Sequence, residues 1–173
     1  MRICGLIVLV LLSGQAEAAL AAEHRLTVPF TEKLNAQPSN HDYNPRHHYN
    51  PFIRIRLKNP QTGREQDVAA VLDTGSDNCV IGEDVAAALG LETAGAELFE
   101  IRTGAGPIRV PFVKIAYRLR DDQGTIVDSF PQQTTHCLVI KEPRLPVIMG
   151  FIGFVDRFKR ITLKYPTDVE LVW

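Results

Sequence analysis

The sequence predicts a mostly β protein, a barrel or sandwich with one or two short helices. Short stretches rich in Val, Ile, Leu and Phe recur along the chain, many alternating apolar and polar as a half-buried strand requires. Clusters of Gly, Pro, Asn and Asp separate them at fairly regular spacing. The 173 residues suit one domain with a real core and are too few for two ordinary ones.

Composition narrows the function classes. An apolar fraction of 45% is that of a globular protein, and a formal charge of −1 gives no reason to expect nucleic acid as a partner. Lys and Arg are scattered rather than gathered in a stripe. Residues 1–18 have the layout of a signal peptide: Arg2, an apolar run from Leu6 to Leu12, then Ala16-Glu17-Ala18 as a small-x-small site, with cleavage expected near 18–22. That run is short for a bilayer span, so an exported, periplasmic or secreted protein with no membrane attachment after cleavage is expected. A buried helix of the fold is the weighed alternative. Two cysteines remain after the signal, Cys79 and Cys137. Outside the cytosol an even pair is a candidate disulfide, and two buried small hydrophobes are the other reading.

Residues 19–51 read as an N-terminal extension. Leu26, Val28 and Phe30 alternate as a strand, and Asn35 to Pro51 is a polar loop rich in Pro and Asn. The rest, 52–173, reads as the functional domain. Phe52 to Leu57 alternates apolar and basic, Asn59 to Gly63 turns, and Val68 to Leu72 returns, so a hairpin is expected. Glu83 to Leu89 reads as a short helix, with acidic Glu83 and Asp84 in its first turn and Gly90 past its end. Leu98 to Arg102 and Ile108 to Lys114 read as strands around a glycine-rich tip at 103–107. Strands are expected again at Val113 to Leu119 and Ser129 to Ile140, split by a turn at 121–124. An apolar run from Leu145 to Phe154 carries Gly150 and Gly153, and strands at Ile161 to Tyr165 and Val169 to Trp173 follow.

One residue interrupts this pattern. Asp73 follows the apolar Val71-Leu72, where an unpaired buried charge would cost many kcal/mol. Either the chain turns out to solvent there or the carboxylate sits in a prepared site. Thr74 and Gly75 favour the second: a hydroxyl fixes the surroundings, and a glycine lets backbone amides approach the carboxylate.

Val71-Leu72-Asp73-Thr74-Gly75-Ser76, followed by Val80-Ile81, resembles the active-site strand and loop of aspartic proteases, and most of all their retropepsin-like branch, bacterial members included. Leu145 to Gly150 resembles the apolar-apolar-Gly segment that crosses behind that loop. The tip at Thr103, Gly104, Ala105 and Gly106 lies between the two, where the family carries its flap. The resemblance covers roughly residues 52–165 and implies a retropepsin-like acid-protease barrel, one lobe per chain. It implies an aspartic endopeptidase without cofactor or metal, acting on extended peptides or proteins with apolar side chains near the bond, best below neutral pH. Peptide hydrolysis in this family needs two aspartates sharing a proton, and this chain has one Asp-Thr-Gly; a homodimer with Asp73 from each subunit is therefore implied. Thr74 would brace the paired loops, with Gly75 and Ser76 as loop support, and Val147 and Ile148 would line side-chain subsites.

The chain departs from the family where Ile152 stands at the position of an Asp or Asn that ties the segment after the catalytic loop to a nearby strand. Cys79 falls in the first of those places and Cys137 is matched to the second, so the resemblance implies a Cys79–Cys137 disulfide in place of the polar clamp. Retropepsin-like enzymes interleave terminal strands across the dimer; Val169, Leu171 and Trp173 suit such a strand, and equally one paired within a single subunit. His41, His47 and His48 lack the spacing of a zinc site and read as a solvated loop. The competing function is a weak or inactive retropepsin-like domain used for peptide binding or assembly, since fold does not fix function.

Overall fold

The structure is a computed structural model that describes residues 23–29, 31–32, 49–103, 106–142, 145–164 and 167–173. The expected signal segment 1–18 and its cleavage region, Phe30, the loop with His41, His47 and His48, and the tip residues Gly104 and Ala105 lie outside the described residues.

Alternation in the sequence becomes strands with one dry face. In β4 (Phe52–Lys58), Ile53, Ile55 and Leu57 are at most 1% exposed, while Arg54, Arg56 and Lys58 take the other face. β4 pairs antiparallel with β5 (Glu65–Leu72) along its whole length, from Phe52↔Val71 to Lys58↔Glu65. The hairpin is thus longer than expected, because Glu65, Gln66 and Asp67 also pair. Arg56 sits opposite Asp67 and donates to its two carboxylate oxygens at 2.7 and 3.0 Å; Arg120 pairs with the same carboxylate. Two polar groups answering each other let this wet end of the strand hold its register.

Then come β6 (Cys79–Gly82), helix α1 (Glu83–Ala88), β7 (Glu97–Thr103), β8 (Gly106–Arg120), β9 (Gln133–Ile140) and β10 (Val147–Met149). The order is β4-β5-β10-β6-β9-β8-β7, and β4 also pairs with β8, so six strands close into a barrel and β7 hangs outside as half of the β7–β8 hairpin. The expected mostly β, retropepsin-like barrel is the fold observed. α1 ends at Gly90 in a left-handed conformation (φ 63°), and the buried Asn59 side chain donates to the carbonyls of Leu89 and Gly90 at 3.2 and 2.9 Å.

Two expected strands, Ile108 to Lys114 and Val113 to Leu119, are one 15-residue strand, β8, since nothing between them turns the chain. β9 begins at Gln133 rather than Ser129. Phe130 is 2% exposed, anchored in the core, and Pro131 has no N–H to offer a ladder.

β2 (Thr31–Glu32) and β3 (Tyr49–Asn50) pair as a short two-stranded ladder, and a third sheet joins the first and last described strands. β1 (Arg25–Pro29) and β11 (Arg160–Lys164) flank β12 (Asp168–Val172), both antiparallel to it. β12 is buried on both faces: Val169, Leu171 and Val172 are at most 1% exposed, and Glu170 is 8% exposed. That carboxylate is held by Arg25 at 3.3 Å, Lys164 at 3.4 Å and Arg160 at 3.8 Å. Within the chain both sides of β12 are paired, one with β1 and the other with β11. Tyr117, Phe130, Phe154, Phe158 and Trp173 stack into an aromatic cluster that ties this sheet to the barrel.

Candidate active site

The strand pairing builds the site before any side chain enters. β10 runs parallel to β5 with Met149 opposite Leu72, so the residues that follow, Gly150 and Asp73, emerge side by side. The Asp73 amide donates to Met149 O at 3.1 Å, and the Leu72 amide to Pro51 O at 2.9 Å. The apolar ends of the strands are thereby locked while the chain leaves the barrel. Asp73 itself is half-buried.

Its carboxylate lies in a turn of backbone. Gly75 N–H donates to Asp73 Oδ1 at 2.9 Å, and Ser76 N–H to Asp73 O at 3.3 Å. A Cβ on Gly75 would stand 3.2 Å from that Oδ1, so the carboxylate would have to give by a few tenths of an ångström. Ser76 Oγ donates to Asn78 O at 2.8 Å, bracing the far side of the loop. Thr74 is exposed at its crest.

From behind, the glycine segment holds this loop through backbone alone. Phe151 N–H donates to Ser76 O at 2.7 Å and Ile152 N–H to Asp77 O at 2.8 Å. Gly150 passes so close that a Cβ there would lie 2.6 Å from Ser76 O and 2.7 Å from the Asn78 carbonyl carbon. The segment is tied in turn to two strands. Tyr117 Oη donates to Gly153 O at 2.7 Å, and Thr135 Oγ1 to Ile152 O at 3.3 Å. Burial pushes the Tyr117 phenol well up, so it stays a donor. Gly153 has φ 83° and packs on Thr135, where a Cβ would meet the threonine Cβ at 2.7 Å. Tyr117 and Thr135 were not singled out from sequence; a lone Tyr or Thr in an alternating strand carries no signal of the carbonyl it will meet.

Cys79 and Cys137 are register partners on the parallel strands β6 and β9 and are joined by a disulfide, Cα atoms 4.4 Å apart. Both are fully buried, and Cys79 Sγ lies 3.8 Å from Met149 Sδ, directly before Gly150. The strand after the Asp73 loop is thus covalently bonded to its neighbour.

The two expected subsite residues part company. Ile148 is half-exposed, whereas Val147 is 3% exposed and packed in the core. Val147 is corrected to a core residue: adjacent strand residues face opposite ways, so both cannot line one cleft. The flap expectation falls on the β7–β8 hairpin, where Thr103 pairs with Gly106, itself at φ 113°. Phe99, Phe112 and His136 stack in series at 5.2 and 5.0 Å, steadying the hairpin on β9. A cavity of about 400 Å³ lies elsewhere, lined by Asn59, Leu91, Phe112 and Lys114 among others. Asn59 precedes β5 and Asp73 follows it, about 25 Å apart along eight strand residues, so that cavity is not part of this site.

A closed six-strand barrel that delivers Asp-Thr-Gly-Ser from one strand, with a glycine segment crossing behind it, is the build of one acid-protease lobe. The aspartyl protease family model matches residues 60–151, just over half of the chain. The chain belongs to the aspartyl protease family. Its fold is that of a retropepsin-like aspartic protease from Rickettsia conorii, with a TM-score of 0.56 at 12% identity, covering 88% of this chain and 93% of that one. EIAV protease in complex with the inhibitor HBY-793 is also similar, at a TM-score of 0.40 and 18% identity over 70% of this chain and 98% of that one. No curated protein matches the sequence significantly.

Proposed function

We propose that the protein is an exported aspartic endopeptidase, active as a homodimer in which Asp73 of each subunit meets its twin across a two-fold axis. What carries the reading is the Asp73 loop: a half-buried carboxylate gripped by the Gly75 amide, in a turn held from behind by Gly150, Phe151 and Ile152. Such a carboxylate is positioned without reorganisation, which is what a group activating water needs. One carboxylate cannot both take a proton from water and give one to the peptide carbonyl. A pair close together shares one proton and performs both steps, the ionised member as base and the protonated member as acid.

In this reading a peptide lies extended between the flap hairpins and the paired loops. The ionised Asp73 takes a proton from water as its oxygen attacks the scissile carbonyl. The protonated twin gives its proton to the carbonyl oxygen, and the tetrahedral intermediate then collapses with proton transfer to the leaving amine. Thr74 braces the two loops, Gly75 meets the peptide backbone, and Ile148 lines an apolar subsite. Closing the hairpins over the peptide excludes water, as mobile lids do.

Asp73→Asn should abolish cleavage of a diverse peptide library between pH 3 and 8 while leaving the circular dichroism spectrum unchanged. Cleavage at the wild-type rate by this variant would refute Asp73 catalysis. A wild type that cleaves no peptide over that range would favour the binding-module alternative.

A further inference from the structure

The dimer reading leaves open which surface joins the two copies, and the terminal sheet narrows it. In the family, terminal strands interleave between subunits. Here β12 has β1 on one side and β11 on the other, all from one chain, so β12 has no free edge to lend. Among the described residues, two outer edges of this sheet have no strand partner. That of β1 ends in Pro29, which has no N–H to donate. That of β11, Arg160-Ile161-Thr162-Leu163-Lys164, contains no proline.

Exposed apolar residues point the same way. Leu98, Phe99, Ile108, Phe151, Ile152 and Leu163 are the large exposed hydrophobics among the described residues. The first three belong to the flap hairpin. Phe151 and Ile152, 50% and 57% exposed, are hydrogen-bonded to Ser76 and Asp77, next to the loop that must meet its twin. Leu163, 53% exposed, stands on β11, reached from Ile152 by one short 3-10 turn at Val155–Arg157. Edge cations usually repel a second strand. On β11 they are already answered: Arg160 by Glu170, and Lys164 by Glu170 and Asp168.

We infer that a second copy of this chain docks along a seam made by Phe151, Ile152 and the outer edge of β11 around Leu163, and that the two terminal sheets join there, β11 against its twin, into one six-stranded sheet. This rests on the dimeric reading of the site and replaces strand exchange with edge-to-edge pairing. Phe151 and Ile152 are bonded to the Asp73 loop, and β11 follows them in the chain, so the contact that completes the carboxylate pair would also bury these exposed apolar side chains. Each chain keeps its own β1 and β12.

The test is mass in solution, read by sedimentation over a range of concentrations and independently of cleavage. The wild type should sediment as a dimer. Phe151→Asp and Leu163→Asp, at exposed positions, should each weaken the dimer about tenfold or more while keeping the wild-type circular dichroism spectrum. Leu98→Asp, an equally exposed leucine on the flap hairpin, should leave the mass unchanged. A wild type that stays monomeric at every concentration would overturn the seam. So would dimers of Phe151→Asp and Leu163→Asp as tight as the wild type, or a Leu98→Asp dimer as weak as theirs. Cleavage separates the two claims: a wild-type dimer that cuts nothing refutes the catalytic reading, while the masses still decide the seam.

Discussion

Gly150 shows how a residue without a side chain can set the shape of the candidate site. It lies where β10 leaves the barrel, pressed against the carbonyls of Ser76 and Asn78, and those are backbone atoms that cannot rotate away. Gly150→Ala should therefore lower stability by about 1–3 kcal/mol, as overpacking does, and cleavage should fall further than stability because the strain falls on the Asp73 loop. Urea unfolding and peptide turnover of the same preparation would check both. The loop's polar partners work differently. Tyr117 and Thr135 reach the carbonyls of Gly153 and Ile152, so two strands of the barrel grip the segment that grips Asp73. Asp73, Thr74 and Gly75 were legible in the sequence because a carboxylate beside glycine interrupts an apolar strand. Tyr117 was not, because its phenol finds Gly153 across 36 residues of chain.

Among elements, the pairing of β6 with β9 and of β4 with β5 carries most of the testable consequence. The Cys79–Cys137 disulfide closes a loop with a sequence separation of 58, and the chain-entropy argument gives it about 4 kcal/mol of stabilisation. Replacing both cysteines with alanine should cost about 2–4 kcal/mol in denaturant unfolding. Alkylation of denatured, unreduced protein followed by mass spectrometry should find neither cysteine labelled. The Arg56–Asp67 pair predicts a pH effect of definite sign. The hydrogen bond from Arg56 is the main cause holding the Asp67 carboxyl below its ordinary value, with Arg120 adding to it and burial opposing. A carboxylate depressed in the folded state contributes stability above its unfolded value, and that contribution is lost as pH falls through the folded one. The melting temperature should therefore drop on acidification below about pH 4, and Asp67→Asn should drop by less over that window. The difference will be small, since both side chains face water. At this scale the sequence placed most of the longer strands by their alternation, but it split β8 in two and began β9 four residues early. Those limits depend on whether a neighbour offers a ladder and on Phe130 dropping into the core.

For the whole molecule, the proposed dimer would make activity a property of two chains. Specific activity should fall on dilution in step with the loss of dimer mass, because a lone chain holds one Asp-Thr-Gly. Comparing turnover per chain with sedimentation at matched concentrations would check it, and constant specific activity into the monomer range would exclude a shared site. The sequence by itself determined the β class, the Asp73 loop and the glycine segment behind it, because these are local patterns: period-two alternation, a carboxylate beside glycine, an apolar run ending in glycine. Only the tertiary structure decided that Val147 belongs to the core and Ile148 to the accessible face. The same holds for Cys79 facing Cys137 and for the chain's two ends pairing with each other rather than leaving β12 free. These are long-range facts, fixed by which strand lies beside which, and no window of sequence contains both partners.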